Sequence, residues 1–186
     1  MSQFHSSTIR KPSPLRLGIR VVLAMAIALV ASAIIIGNMP NQPVRGLYTQ
    51  VEINAPPERV WRELTDFGAY PQWNPFLRVH GTAELGNHLL VTAKPSGSHG
   101  MVFWPKVTAA EPGRRLTWLG HLLIPGLFDG EHSFELEPLP GGGTRFIQRE
   151  RFHGSLVSPF WSYITNQTGR GFREMNQALK VRCEQH

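Results

Sequence analysis

The hydrophobic pattern divides the chain into three stretches with different periods. Residues 21–37, VVLAMAIALVASAIIIG, have no period: they are uncharged and almost wholly apolar. From Leu47 to His153 apolar and polar residues alternate in short runs, the pattern of half-buried strands. From Ser158 to Glu184 the spacing becomes three and four. Trp161, Ile164, Thr165, Thr168, Phe172, Met175 and Leu179 form one stripe, and Arg170, Arg173, Lys180 and Arg182 lie off it. This predicts an amphipathic helix of roughly six to seven turns. Pro159 suits its first turn. Gly169 and Gly171 each weaken the helix by about 1 kcal/mol relative to alanine; they leave room for close approach of the sheet or a ligand, and a slight bend is the simpler expectation.

Punctuation locates the remaining elements. Leu47–Asn54 alternates as a first strand. Pro56 and Pro57 then open a short helix, where missing N–H groups cost nothing. Val60, Trp61 and Leu64 form its apolar face. Gly68, Pro71 and Pro75 leave room for only a turn or two of helix before residue 76. Strands are predicted near 76–84, 88–95, 100–110, 114–122, 127–138 and 143–153, divided by turns such as Gly86-Asn87, Glu111-Pro112-Gly113 and Pro140–Gly143. With the first strand this makes seven, mostly joined by short loops, so the sheet should be antiparallel and the class α+β.

Strand alternation also assigns faces. Phe146, Gln148, Glu150 and Phe152 share one side, and Arg145, Ile147, Arg149 and Arg151 the other. The aromatic residues mark the first set as inward; the three arginines read as a solvated edge. On the preceding strand His132, Phe134 and Leu136 face inward, while Glu131, Ser133, Glu135 and Glu137 face water. The turn permits a register with His132 opposite Glu150 and Phe134 opposite Gln148. A one-residue slip would mix the two faces; a two-residue slip stays open. A histidine across the ladder would satisfy a carboxylate that is costly to bury alone. His132 and Glu150 are therefore the candidate catalytic residues, as a general acid–base pair acting on a bound carbonyl compound, with ligand orientation and structure as the competing roles.

Charge sharpens the picture. All 13 acids and 14 of the 19 basic residues lie after residue 46, so the domain is nearly neutral. It lacks the basic face that nucleic-acid binding needs. A basic tail, 1–20, precedes the apolar run, and the 17 residues of 21–37 lie at the lower limit of a membrane span. The positive-inside rule places the tail in the cytoplasm and the domain on the outer or periplasmic side of the membrane, on a single-pass anchor. The alternative is a signal peptide cleaved after Ala31-Ser32-Ala33, giving a secreted domain; the anchor is preferred because the apolar run continues beyond that site. Residues 38–46 read as a linker and 47–186 as the folded domain. The single cysteine, Cys183, excludes an internal disulfide and reads as a bystander near a frayed end. The eight histidines have no metal-ligand spacing, and Ser96–Gly100 is a turn rather than a phosphate loop, so no metal and no cofactor is expected.

The segment VEINAPPERVWRELTDFGAYPQWNPF (51–76), together with GGGTRFIQRERFHG (141–154) and GFREMNQALKVRCE (171–184), resembles the START-like (SRPBCC) superfamily, in its polyketide cyclase/dehydrase and lipid-transport group. The resemblance spans residues 47 to about 184. It implies a helix-grip fold: a seven-stranded curved antiparallel sheet around the long C-terminal helix, enclosing an apolar cavity. Members share the cavity and no fixed catalytic set. The expected ligand-binding residues are Trp73, Phe76, Trp104, Trp118, His132, Phe134, Gln148, Glu150, Trp161, Thr168 and Phe172. The leading functional expectation is a membrane-anchored module that binds or transports a lipid-like or polycyclic molecule. A cyclase or dehydratase using the His132–Glu150 pair is the alternative. A third reading is an accessory protein that meets a membrane partner through its surface; the identity of any protein partner is open.

Overall fold

The computed structural model describes residues 14–39, 44–95, 100–122 and 124–185. Most of the basic tail, the middle of the linker and the turn at 96–99 lie outside the described residues.

Among the described residues eight strands form, in two sheets, where seven in one sheet were expected. The predicted strand at 100–110 divides at Trp104-Pro105, because proline supplies no N–H to a ladder. Before the break lies β4 (Met101–Phe103) and after it β5 (Lys106–Glu111). One sheet has the order β1-β8-β7-β6-β5, with β1 spanning Arg45–Ile53, β6 Arg115–His121, β7 Asp129–Pro138 and β8 Thr144–His153. The second has the order β2-β3-β4, with β2 spanning Leu77–His80 and β3 Leu90–Ala93. Residues 86–89 and 105–107 stitch the sheets together: Leu89 N–H donates to the Pro105 carbonyl at 2.9 Å and Val107 N–H to that of Asn87 at 2.8 Å. All named pairings are antiparallel.

The short helix α2 (Pro57–Thr65) opens on the two prolines and buries Val60 and Leu64. A 3-10 turn (Phe67–Ala69) and a single turn, α3 (Tyr70–Trp73), follow. Tyr70 is fully buried and donates its hydroxyl to the Leu64 carbonyl at 2.6 Å, which ties the two helices. Burial pushes its pKa well above the usual phenol range.

The long helix α4 covers Trp161–Glu184. Pro159 is not in its first turn; it lies in the turns that precede the helix. Gly171 serves close approach rather than a bend. A Cβ there would fall 2.3 Å from the Phe76 ring, so glycine is what lets Phe76 seat against the helix backbone. The far end of α4 is clamped to β1. Glu184 accepts from Lys180 Nζ at 2.8 Å and from the Asn54 N–H at 2.7 Å, and these bonds, Lys180 first, hold its pKa below the usual carboxylate range. Cys183 is no frayed bystander: it is buried in the core, and burial pushes its thiol up to about 12, so little reactive thiolate forms.

The three arginines of β8 are not at an edge either, because β8 lies between β1 and β7. They stand on the outer face and pair across it: Arg145 with Glu52 and Glu137, Arg149 with Glu135, Arg151 with Glu131. Such exposed pairs contribute about 0–1 kcal/mol each.

The N-terminal apolar helix, α1, runs from Pro14 to Gly37 and so starts earlier than the sequence pattern suggested. Leu15–Gly37 is long and apolar enough to cross a bilayer, as a signal sequence would also be. The end of α1 rests against the loop before β7: Asn38 Nδ2 donates to the Pro125 carbonyl at 3.4 Å, and Gly37 packs on Gly126. Among the described residues, every buried hydrophobic of the core lies between Ile53 and Cys183. Among the described residues, α1 contributes no side chain to that core.

Candidate functional site

The register of β6, β7 and β8 stacks the inward side chains in rows. Leu116, Phe134 and Gln148 form one row, Trp118, His132 and Glu150 the next, and Gly120, Gly130 and Phe152 the one above. The first two rows are large and meet α4 where it carries Phe172, Met175 and Leu179, all fully buried. The third row has two glycines. Above it, the early turns of α4 pack through Ile164 and Trp161 on Phe152 and Val157, and beside that contact a cavity of about 330 Å³ remains. Its walls include Phe76, Met101, Phe103, Leu122, Phe128, Phe152, Phe160, Ile164 and Phe172, with His121, His132, Glu150, Tyr163, Gln167 and Thr168 as the polar side chains. Apolar walls with a few convergent polar groups are the usual form of a small-molecule site.

Leu122 and Phe128, at the two ends of the loop between β6 and β7, stand on one flank of the cavity. Buried Asp129 fixes that loop, accepting from the Gly126 N–H at 2.9 Å. The Nδ1 atoms of His121 and His153 contact the same carboxylate at 2.8 and 3.3 Å.

At the floor lies the polar pair. His132 is opposite Glu150 in the ladder, and His132 Nδ1 lies 3.0 Å from Glu150 Oε2. The other ring nitrogen, Nε2, is 3.1 Å from Gln148 Oε1. The imidazole stacks on Phe134 at 4.2 Å between centroids and meets the Phe172 ring at a tilt at 4.6 Å. Gln148 is fully buried and passes the network on, donating Nε2 to the Phe172 carbonyl at 3.3 Å and to Asn176 Oδ1. Asn176 Nδ2 reaches Thr49 Oγ1 on β1 at 3.2 Å. The chain of bonds thus runs from β1 through α4 to β7 and β8.

The structure distributes the expected ligand-binding residues unevenly. Phe76, His132, Glu150, Thr168 and Phe172 line the cavity. Trp118, Phe134 and Gln148 point inward but lie in the packed region under α4, as core. Trp104 is a correction: it is 66 % exposed, turned out where Pro105 breaks the strand. Trp161 is another. It packs on Phe152 and under the Arg45 guanidinium, 5.2 Å from its centroid, and is not among the cavity walls. Trp73 packs on Tyr70 and borders a shallow groove on the opposite side of α4, beside Arg173 and Arg182. Residues missed from the sequence include Asn176, whose position on the inner stripe of α4 was the available signal. Gly120 and Gly130 were missed as well, although the alternation through Trp118 and His132 runs straight to them.

A curved antiparallel surface closed by one long C-terminal helix over a cavity defines the helix-grip class. The chain belongs to the family described as polyketide cyclase / dehydrase and lipid transport, whose model matches residues 46–184. Among solved structures, the fold is similar to the Zhui aromatase/cyclase of a Streptomyces species, at 14% identity and TM-score 0.63, over 76% of this chain and 94% of that one. It is also similar to a START superfamily protein from Mycobacterium smegmatis, at 22% identity and TM-score 0.61, over 75% and 97%. Norcoclaurine synthase of Thalictrum flavum, in complex with a transition state analogue, aligns at 15% identity and TM-score 0.61 over 78% and 97%. No curated protein sequence matches the chain.

Proposed function

We propose that this protein is a membrane-tethered module that holds a hydrophobic small molecule in the cavity between the glycine row of the sheet and the first turns of α4. The observation that carries this reading is the cavity itself: about 330 Å³, apolar in most of its walls, on a face that large side chains fill everywhere else. Its position supports the tether. Leu122 and Phe128 flank the cavity at the ends of the loop whose Gly126 meets the end of α1, and Ile124, Phe160 and Tyr163 leave apolar surface exposed nearby. A ligand could then pass between the bilayer and the cavity without crossing open water.

Binding is favoured over acid–base turnover by the bonding of His132. Both ring nitrogens are engaged within the protein, so neither is free for a substrate. The similar aromatase/cyclase and norcoclaurine synthase carry enzyme names, which keeps catalysis as the second reading.

The anchor reading predicts that the full-length protein resists carbonate extraction and that a reporter fused after His186 is active outside the cytoplasm. A freely soluble, cytoplasmic fusion contradicts it, and a mature product starting near Ile34 supports the signal-peptide alternative instead.

A further inference from the structure

The hydrogen bonds beneath the cavity have a fixed polarity, and it reaches the ligand. The Phe172 carbonyl can only accept, so the Gln148 group facing it at 3.3 Å is the NH2. Gln148 Oε1 then faces His132 Nε2 at 3.1 Å, and that nitrogen must carry hydrogen. His132 Nδ1 lies 3.0 Å from Glu150 Oε2, at ion-pair distance, so that carboxylate oxygen is turned to the imidazole.

The other oxygen of the Glu150 carboxylate, Oε1, is an acceptor. It has no hydrogen-bond partner among the described residues and occupies the space above Gly130. A Cβ on Gly130 would fall 2.5 Å from it. Glu150 and Gly130 both line the cavity. We infer that the cavity selects an apolar molecule bearing a hydroxyl, an alcohol or a phenol, whose O–H donates to Glu150 Oε1. A carboxylate head would set acceptor against acceptor, and a ketone or ether would leave Oε1 unpaired. This rests on the cavity reading and deepens it: the body of the ligand is apolar and its head is a donor.

Three naphthalenes that differ only in the head test this on residues 44–186 by isothermal titration calorimetry. They are 2-naphthol, 2-methoxynaphthalene and 2-naphthoate. The expected order places 2-naphthol at least about fivefold tighter than the methyl ether, as one hydrogen bond provides, with 2-naphthoate the weakest. In Glu150→Leu the naphthol-to-ether ratio falls to about one. Equal affinities for naphthol and ether, tightest binding of naphthoate, or a ratio unchanged in Glu150→Leu would each overturn the inference. The wild-type comparison decides the matter even if the variant fails to fold. The neutral dye prodan separates the two levels. If prodan binds and the naphthalenes show no order by head group, the hydroxyl inference falls and the cavity reading stands. If neither prodan nor any naphthalene binds, both fall.

Discussion

Replacing Gln148 with leucine is expected to destabilise the domain by about 3 kcal/mol, although the two side chains are close in volume. The cost comes from what is left behind. His132 Nε2–H and Asn176 Oδ1 lose a partner while both side chains stay buried, and each buried unsatisfied group costs about 1–3 kcal/mol. For a domain of this size that corresponds to a melting temperature lower by about 10 °C. Thermal unfolding followed by circular dichroism checks it. A melting temperature within about 2 °C of wild type would mean that the network is not a structural element.

The second large effect is on binding. Thr168 is half-buried on α4 and faces the cavity. Tryptophan there fills space that is otherwise empty, so Thr168→Trp should weaken prodan binding to residues 44–186 at least tenfold. Its melting temperature should stay close to wild type, because the added ring enters a void rather than a packed core. Fluorescence titration measures the first quantity and circular dichroism the second. Undiminished binding by a folded Thr168→Trp protein would place the dye elsewhere.

The elements that were legible in the sequence are those whose signal is periodic. The stripe of Ile164, Thr168, Phe172, Met175 and Leu179 gave the long helix, and strand alternation gave the inward faces of β7 and β8, including the His132–Glu150 register. The division of one strand at Trp104-Pro105 was less visible, because alternation continues across it. A proline inside a strand pattern was the available warning. Trp104 turned outward for that reason. Alternation places Phe134 inward, where it stands, but it states only the face and says nothing about which rows the helix fills.

The cavity itself was the least legible feature, because it is defined by missing side chains. Gly120 and Gly130 sit on the inward face exactly as much as Trp118 and His132 do, yet a glycine in a strand reads as weakness rather than as space. Gly171 was the same kind of case: its role depends on Phe76, nearly a hundred residues away in sequence. Such pairings are set by tertiary structure, and no local window contains them.

The central claim is that the domain holds one apolar molecule inside the grip of sheet and helix. Native mass spectrometry of residues 44–186 with added prodan tests it most directly. The account predicts a single 1:1 complex for the wild-type domain and its loss in Thr168→Trp under the same conditions. Bare protein throughout, or the same complex in both proteins, would contradict it.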